Sequence, residues 1–255
     1  MFIGIDMGGT HTRIATASSL EKITFKDAVT FPTPLDFATG IEEMVSTIKS
    51  LSMSVDAIAI GVPGSVNDDG ELIRSTNLPD WVNKPLQTTL DETFDCPVYI
   101  RNDAEMGAFG EAYFGEHAMM DFVYLTWGTG VGFAQVTCQS GVASVSQPED
   151  KQPLHNLEEK IGGKSLESRF GKLAEDLTNA EWDVVLEDVS QCVPGLARHY
   201  SFTTMVVGGG VAISLCPRLA FEETLSKLDI KAALTKLGDQ SGLYGAFSLM
   251  KAEGV

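Results

Sequence analysis

The feature that most limits how this chain can fold is a glycine-rich turn used twice. The segment Asp6-Met-Gly-Gly-Thr-His-Thr-Arg-Ile-Ala15 is echoed, 120 residues further on, by Thr126-Trp-Gly-Thr-Gly-Val-Gly-Phe-Ala-Gln135. In each, an apolar run enters a tight Gly/Thr turn and leaves as a second strand. Two copies of one hairpin within 255 residues point to a duplicated fold whose halves face each other across a cleft. The bland alternative is two unrelated glycine hairpins, which are common.

The rest of the chain alternates in the same manner. Short apolar or alternating runs predict strands over residues 2–6, 13–18, 23–31, 57–62, 98–102, 122–126, 132–138 and 204–208. Between them lie helical patterns. The clearest covers 36–51, where Phe37, Ile41, Met44, Val45 and Ile48 share one face behind Asp36 as N-cap. Further helices are expected over 85–94, 104–113, 165–176, 218–228 and 242–252. Strands interleaved with helices indicate an α/β class with mixed sheets. Residues 139–152, polar and close to Pro148 and Pro153, read as a loop or irregular hairpin.

Charge narrows the function. Eighteen basic against 35 acidic residues give a formal net charge of −17, with no basic run, so neither nucleic acid nor an anionic membrane is an expected partner. A small anionic ligand remains compatible, because backbone dipoles can hold it against the net field. Cys96, Cys138, Cys192 and Cys216 form no C-x-x-C pair, which argues against a zinc ribbon and against a disulfide framework. No stretch approaches the ~18 apolar residues of a spanning helix, and the N-terminus carries no leader pattern. The expected compartment is the cytoplasm.

Chemistry concentrates at the glycine turns. Gly8-Gly9-Thr10 follows a strand ending in Asp6. Glycines admit a ligand to the backbone, successive N–H groups make an anion nest, and Thr10 and Thr12 add hydroxyls. Asp6 aimed at the same spot would hold Mg²⁺ through water. Gly128-Thr129-Gly130-Val131-Gly132 repeats this chemistry. Its resemblance to a dinucleotide fingerprint fails on context, because Phe133-Ala-Gln-Val continues as a strand instead of opening a helix. Gly208-Gly209-Gly210, between a strand and a helix, suits the close approach of an adenosine. Gly163-Lys164-Ser165 imitates the end of a Walker loop, but Glu158 stands where that loop requires its first glycine.

Arg101-Asn102-Asp103-Ala104 ends a strand and opens a helix. A carboxylate there can accept a hydroxyl proton during phosphoryl transfer, while spacing alone favours Asp103 as a helix N-cap. Asn77-Leu-Pro-Asp-Trp81 follows Gly61-Val-Pro-Gly64 in a turn-rich stretch. Asn77 suits hydroxyl recognition, and Trp81 reads better as a core plug than as a sugar platform. His155 and Glu158, three residues apart, could be a sugar-hydroxyl clamp, half a metal site or a helix-surface pair.

Taken together these motifs resemble the ROK family of sugar kinases, within the actin/hexokinase/Hsp70-like ATPases. Ile5-Asp-Met-Gly-Gly-Thr10 is similar to its first phosphate motif, and Asn102-Asp-Ala104 with the helix through Glu111 to its catalytic segment. Thr126-Trp-Gly-Thr-Gly130 is similar to the second phosphate motif, Val207-Gly-Gly-Gly-Val211 to the adenosine motif, and Gly242-Leu-Tyr-Gly-Ala246 to the C-terminal helix. The resemblance implies a duplicated actin-like ATPase fold of the ribonuclease H kind, with two mixed-sheet lobes around a central cleft. The lobes would span 1–101, joined by the returning helix 245–255, and 102–244. It implies ATP and Mg²⁺ as cofactors and a small-molecule sugar as substrate, with a homodimer as the usual assembly. Asp103 would take the proton from a sugar hydroxyl, usually the 6-OH. Asp6, Gly8, Gly9, Thr10, Thr12, Thr129 and Gly130 would serve the phosphates and Mg²⁺, and Gly209 and Gly210 the adenosine. Gly64, Asn77, Asn102, His155 and Glu158 would face the sugar.

Asp6-Met7 with His11, and Gly130-Val-Gly-Phe-Ala134, are most similar to the D-allose kinases within that family. The chain departs from the family where its zinc loop normally lies. Gln152-Pro-Leu-His155 runs straight into Asn156-Leu-Glu158, which aligns as a deletion that removes all three loop cysteines. Zinc is therefore not expected. No helix-turn-helix segment precedes Met1, which sets aside the family's repressor branch. The expected activity is ATP-dependent phosphorylation of a hexose of allose, glucose or mannose type, or of an N-acetylhexosamine. The alternatives are a polyphosphate-dependent glucokinase and a non-catalytic sugar- or nucleotide-binding protein.

Overall fold

The computed structural model describes residues 1–25, 28–67, 69–215 and 218–255. The chain divides into two compact units, Met1–Gly110 with Gly242–Val255, and Glu111–Ser241.

In the first unit, strands β1 (Phe2–Met7), β2 (His11–Ala17), β3 (Val29–Pro32), β4 (Ala57–Val62) and a later strand form one sheet. Helix α1 (Phe37–Leu51) lies between β3 and β4 in sequence, and the Asp36 carboxylate accepts from Thr39 N at 2.8 Å as its N-cap. A small ribbon of β5 (Ser65–Val66) and β6 (Leu72–Arg74) follows, then α2 (Leu86–Phe94), the strand β7 (Val98–Asn102) and α3 (Asp103–Phe114). The sheet order is β3-β2-β1-β4-β7, antiparallel through the hairpins and parallel from β1 to β7. All six residues of β4 are buried, as expected of a parallel strand covered on both faces.

The second unit repeats the plan. It contains β8 (Phe122–Trp127), β9 (Val131–Gln139), β10 (Val142–Ser146), α4 (Gln152–Ile161), α5 (Gly163–Phe170), α6 (Asn179–Tyr200), β11 (Thr204–Gly208), α7 (Gly210–Leu215), α8 (Arg218–Ser226) and β12 (Lys231–Leu234). Its order, β10-β9-β8-β11-β12, is the first sheet's order again, with the same change from antiparallel to parallel at the third strand. The echoed glycine turns are the β1–β2 and β8–β9 turns of two topologically identical sheets. Each unit has its own core, one centred on Ile3, Ile5, Ile58 and Ile60, the other on Trp127, Val185, Val189 and Val207.

Helix α9 (Ser241–Ala252) belongs, from Gly242 on, to the first unit. It reaches that position through small residues. A Cβ on Gly245 would fall 1.8 Å from the Met106 carbonyl oxygen of α3, and the Phe247 ring fills the space above Gly4.

Several elements depart from the sequence reading. The stretch 139–152, read as a loop or irregular hairpin, begins as a regular hairpin: β10 pairs with β9 across a two-residue Ser140-Gly141 turn in which both residues have positive φ. The expected strand 23–31 is ordered as a strand only over Val29–Pro32, and residues 26 and 27 lie outside the described residues. The expected helix 165–176 stops at Phe170, where Gly171 adopts a left-handed cap, and resumes as one 3₁₀ turn at Ala174–Asp176. Helix α6 is not among the expected elements: Val185, Val189 and Val193 repeat at four-residue spacing, but the internal Pro194 argues locally against a helix. Its start was legible, since Thr178 and Glu181 form a reciprocal capping box.

Candidate active site

The two glycine turns share one hydrogen-bonding plan. In the first, Gly8 N donates to His11 O at 2.9 Å. The amides of Gly9 and Thr10 have no hydrogen-bond partner among the described residues. In the second, Gly128 N donates to Gly130 O at 3.0 Å, and the amides of Thr129 and Gly130 are likewise unpartnered among the described residues. Each turn therefore closes itself with its first glycine and presents the next two N–H groups, the arrangement an anion requires.

What holds each turn differs. Thr33 braces the first: its amide donates to Thr10 O at 2.9 Å and its hydroxyl to Gly8 O at 2.7 Å. Thr12 is fully buried and its hydroxyl meets that of Thr33 at 2.9 Å, so it supports the turn from behind instead of facing a ligand. Asn77 lies directly against Gly9, where a Cβ would fall 2.7 Å from Asn77 Cβ. The second turn is clamped by α4 and α5. The first amides of α5, Gly163 and Lys164, donate to the carbonyls of Gly128 and Thr129 at 2.9 and 3.0 Å. Glu158 Oε1 accepts from Val131 N at 3.1 Å and occupies the space that a side chain on Gly130 would need.

His155 and Glu158 stand one turn apart on α4, with Nδ1 3.9 Å from Oε2, and His155 also faces Glu159 at 3.4 Å. The pair lies on the surface of α4, with Glu158 additionally tied to the turn. Among the described residues no group of three or more His, Cys, Asp or Glu side chains could hold a metal ion. Trp81 is buried, packs edge-on against Phe37 and donates to Pro34 O at 3.0 Å, the core plug expected of it.

The most informative local geometry is the start of α3. Asn102, not Asp103, caps this helix. Its Oδ1 accepts from the amides of Ala104 and Glu105 at 2.9 and 3.2 Å, while Glu105 Oε2 accepts from Asn102 N at 3.3 Å. This is a capping box with asparagine in the Ser/Thr place. Asn102 Nδ2 donates both to Gly64 O, at 2.8 Å, and to Asp103 Oδ1, at 3.0 Å. Gly64 can offer that carbonyl because its φ of +149° and the Arg74 carbonyl, 2.1 Å from where a Cβ would be, admit only glycine. The capping role favoured for Asp103 by spacing thus falls to its neighbour.

Relieved of capping, Asp103 takes Asn102 Nδ2 and Ala104 N on Oδ1, its own backbone amide also favours the charged carboxyl, and no other described residue donates to Oδ2. Asp103 keeps exposed surface, yet protein packed around the carboxyl removes enough water that desolvation pushes its pKa up to about 6. The Ala104 amide opposes this shift, and repulsion from Asp6 and Glu105 adds to it.

Asp6 itself is not an open carboxylate. The β1–β2 register places it opposite Arg13, whose Nη2 donates to Oδ2 at 2.6 Å. A single carboxylate whose charge a guanidinium already answers is a poor cradle for Mg²⁺, even through water. The sequence-based expectation that Asp6 holds the metal does not fit this donor set.

In the second unit Gly209 has φ +93° and lies on the end of β8, with the Trp127 carbonyl oxygen 2.5 Å from where a Cβ would be. Gly208 makes room for the Tyr124 hydroxyl, whereas Gly210 opens α7 with nothing within 4 Å of its missing Cβ. Sequence reading therefore missed one brace of each turn, Thr33 and the amides of α5. Thr33 is a lone threonine 25 residues from Gly8 and leaves no sequence signal.

The sequence model of the ROK family matches residues 2–144, more than half of this chain. The chain belongs to the ROK family. It is 36% identical over 143 residues to a glucokinase from Thermotoga maritima, an alignment covering 53% of this chain and 44% of that protein. It is 32% identical over 139 residues to a xylose repressor from Caldicellulosiruptor bescii, covering 51% of this chain and 35% of the repressor. The matched part thus spans less than half the length of these two ROK proteins. The fold is that of a ROK hexokinase from Thermus thermophilus, with a TM-score of 0.79, 21% identity and 99% of each chain covered. The duplicated actin-like architecture expected of a ROK protein is the one found in the two sheets. Among the described residues no helix is long and apolar enough to cross a membrane.

Proposed function

We propose that this ROK protein transfers the γ-phosphate of ATP to a hydroxyl of a hexose. The observation that carries the reading is the division of labour at the start of α3. Asn102 satisfies the helix end, and Asp103 keeps a carboxylate oxygen to which no other described residue donates, on a group whose pKa is raised to about 6. A base for a sugar hydroxyl has to be ionised at working pH yet still basic enough to take a proton as the oxygen attacks, and a value near 6 meets both needs.

The remaining roles follow the geometry. The amides of Gly9 and Thr10, and of Thr129 and Gly130, unpartnered among the described residues, bind phosphoryl oxygens. Gly8 closes the first turn, and Thr12 buttresses it. Gly209 and Gly210 border the adenosine. Asn77, held against Gly9, and Asn102, anchored on Gly64, orient the acceptor sugar. In the second unit His155 and Glu158 of α4 are candidate sugar contacts. Mg²⁺ arrives on the nucleotide, where it offsets phosphate charge. The hydroxyl reacting is the 6-OH of an allose-, glucose- or mannose-type hexose or an N-acetylhexosamine. The protein works in the cytoplasm as a homodimer.

Release of ADP across a panel of hexoses tests this, with Asp103→Asn as control. Turnover stimulated by one sugar and abolished by the substitution supports the reading. Sugar-independent ATP binding without turnover refutes it and favours a binding protein, a reading for which the repressor relative gives precedent. Turnover with polyphosphate but not ATP refutes the choice of donor.

A further inference from the structure

Three of the chain's 18 basic residues, Lys160, Lys164 and Arg169, line one groove of the second unit, where α4 and α5 meet α6. The groove encloses about 620 Å³, within the roughly 300–1,000 Å³ of small-molecule sites. Asp188 of α6 anchors two of the cations. Its side chain is 15% exposed, Arg169 Nη1 donates to its Oδ2 at 2.5 Å, and Lys160 Nζ lies 3.6 Å from its Oδ1. Each carboxylate oxygen thus faces a cation, and one negative charge is shared between two positive ones. Glu159 also lines the groove and faces His155 Nε2 at 3.4 Å. The Lys164 ammonium and the Ser168 hydroxyl, one helical turn apart on α5, have no partner among the described residues.

Self-pairing alone does not account for this arrangement. Lys164 is the second residue of α5, where the helix dipole favours an acid over a base, and the first turn of α5 contains no acid. In a chain with 35 acidic residues to 18 basic, three cations gathered around one shared carboxylate are out of keeping with the rest of the surface. The geometry suits a ligand instead. Asp188 holds the Arg169 guanidinium by one nitrogen, and the Phe170 ring, with its centroid 5.1 Å from Arg169 Cζ, restrains the plane. A guanidinium so held presents its remaining N–H groups as a fork that fits phosphoryl oxygens. Lys164 adds an uncompensated charge and Ser168 a hydroxyl donor. The three terminal oxygens of a phosphate match these three groups, whereas a carboxylate has only two oxygens to offer.

We propose that this groove binds a phosphoryl group, carried by a small phosphate ester or present as free phosphate. Lys164, Arg169 and Ser168 are its donors, and Asp188 is the carboxylate that positions Arg169. The site uses none of the glycine-turn amides and goes beyond the kinase reading. It is nevertheless joined to the second turn, because the Lys164 amide donates to the Thr129 carbonyl at 3.0 Å. The residue that grips the ligand through its side chain braces that turn through its backbone.

Calorimetry on the full chain with glucose 6-phosphate and with inorganic phosphate tests this. Each probe is titrated at low ionic strength into the protein alone and into protein saturated with a non-hydrolysable ATP analogue and Mg²⁺, which fills the glycine turns. Both probes are expected to bind in both states and to lose affinity as salt is raised. Lys164→Gln should weaken binding about fivefold or more, Lys164→Glu should abolish it, and Lys164→Arg should keep it within about twofold of wild type. Because the Lys164 side chain has no partner among the described residues, these variants are expected to fold, and thermal melts check that they do. Tighter binding of the ester than of phosphate makes the occupant a phosphate ester, and equal affinity makes it free phosphate; either result upholds the site. Affinity within about twofold of wild type in Lys164→Glu overturns the proposal, since the probe is then held elsewhere. So does loss of probe binding once the analogue fills the turns, or no binding of either probe at millimolar concentration. Failure of the analogue itself to bind counts against the kinase reading, and the Lys164→Glu comparison still decides the groove.

Discussion

Replacing Asp103 by Asn tests the candidate site most directly. The amide keeps the shape of the side chain and can still accept from Asn102 Nδ2 and Ala104 N, the two bonds on Oδ1. What disappears is the proton acceptor at Oδ2. A positioned general base contributes about 10²- to 10⁴-fold, or ~3–5 kcal/mol of barrier, so turnover should fall by that factor while ATP binding is kept. The wild-type protein adds a second signature. With a folded pKa of about 6, roughly nine in ten molecules carry the ionised base at pH 7 and about one in ten at pH 5. The rate should therefore fall about tenfold between the alkaline plateau and pH 5, with its midpoint near 6. Because the folded pKa lies above the ordinary aspartate value of 3.8, the ionised base costs stability. That cost sets in as pH rises from 3.8 through about 6 and stays above it, so Asp103→Asn should raise Tm at pH 7.5 and not at pH 3.5. The assay is ADP release quantified discontinuously at fixed ionic strength from pH 5 to 8, beside thermal melts of both proteins. A flat rate profile across pH 6, or an Asp103→Asn protein with more than about a tenth of wild-type turnover, refutes the reasoning.

Three further outcomes follow from the same geometry. Asn102→Ala removes the cap of α3 and the tie to the Gly64 carbonyl; it should cost about 1–2 kcal/mol, seen as a Tm lower by several degrees, together with weaker sugar binding. Gly209→Ala drives a Cβ onto the Trp127 backbone from a positive-φ position and should destabilise by more than about 2 kcal/mol in urea titrations, whereas Gly210→Ala, one residue on and facing open space, should change stability by less than about 0.5 kcal/mol. Glu111 is buried with the Thr235 hydroxyl as partner, and desolvation holds its pKa above the ordinary glutamate value. Its ionised form therefore costs stability as pH rises above 4.5, so Glu111→Gln should melt higher than wild type at pH 8, with the advantage shrinking as pH falls below 4.5.

Local sequence was sufficient for much of this molecule. The turn–strand echo at Asp6 and Thr126 foretold two sheets of one topology, because the path into and out of a Gly-Gly-Thr or Gly-Thr-Gly turn is set by residues that are neighbours in the chain. The same holds for the buried strand 57–62 and for α1 behind its Asp36 cap. The amides of Gly9, Thr10, Thr129 and Gly130, unpartnered among the described residues, were foreseeable too, since a turn that closes on its first glycine points the next N–H groups away from that bond.

Tertiary structure decided the rest, wherever a side chain chooses among partners far away in sequence. Spacing could not say that Asn102 would cap α3 and release Asp103, because the choice depends on Gly64 offering a carbonyl from 38 residues earlier. Nor could it show Thr12 turned inward onto Thr33, Glu158 pinned to Val131, or Asp6 engaged by Arg13. Backbone turns are local energetics, legible from residue type. The ionisation of Asp103 and the engagement of Asp6 are set by desolvation and by charges that only folding brings near, so the sequence by itself named these carboxylates and the fold determined what each is free to do.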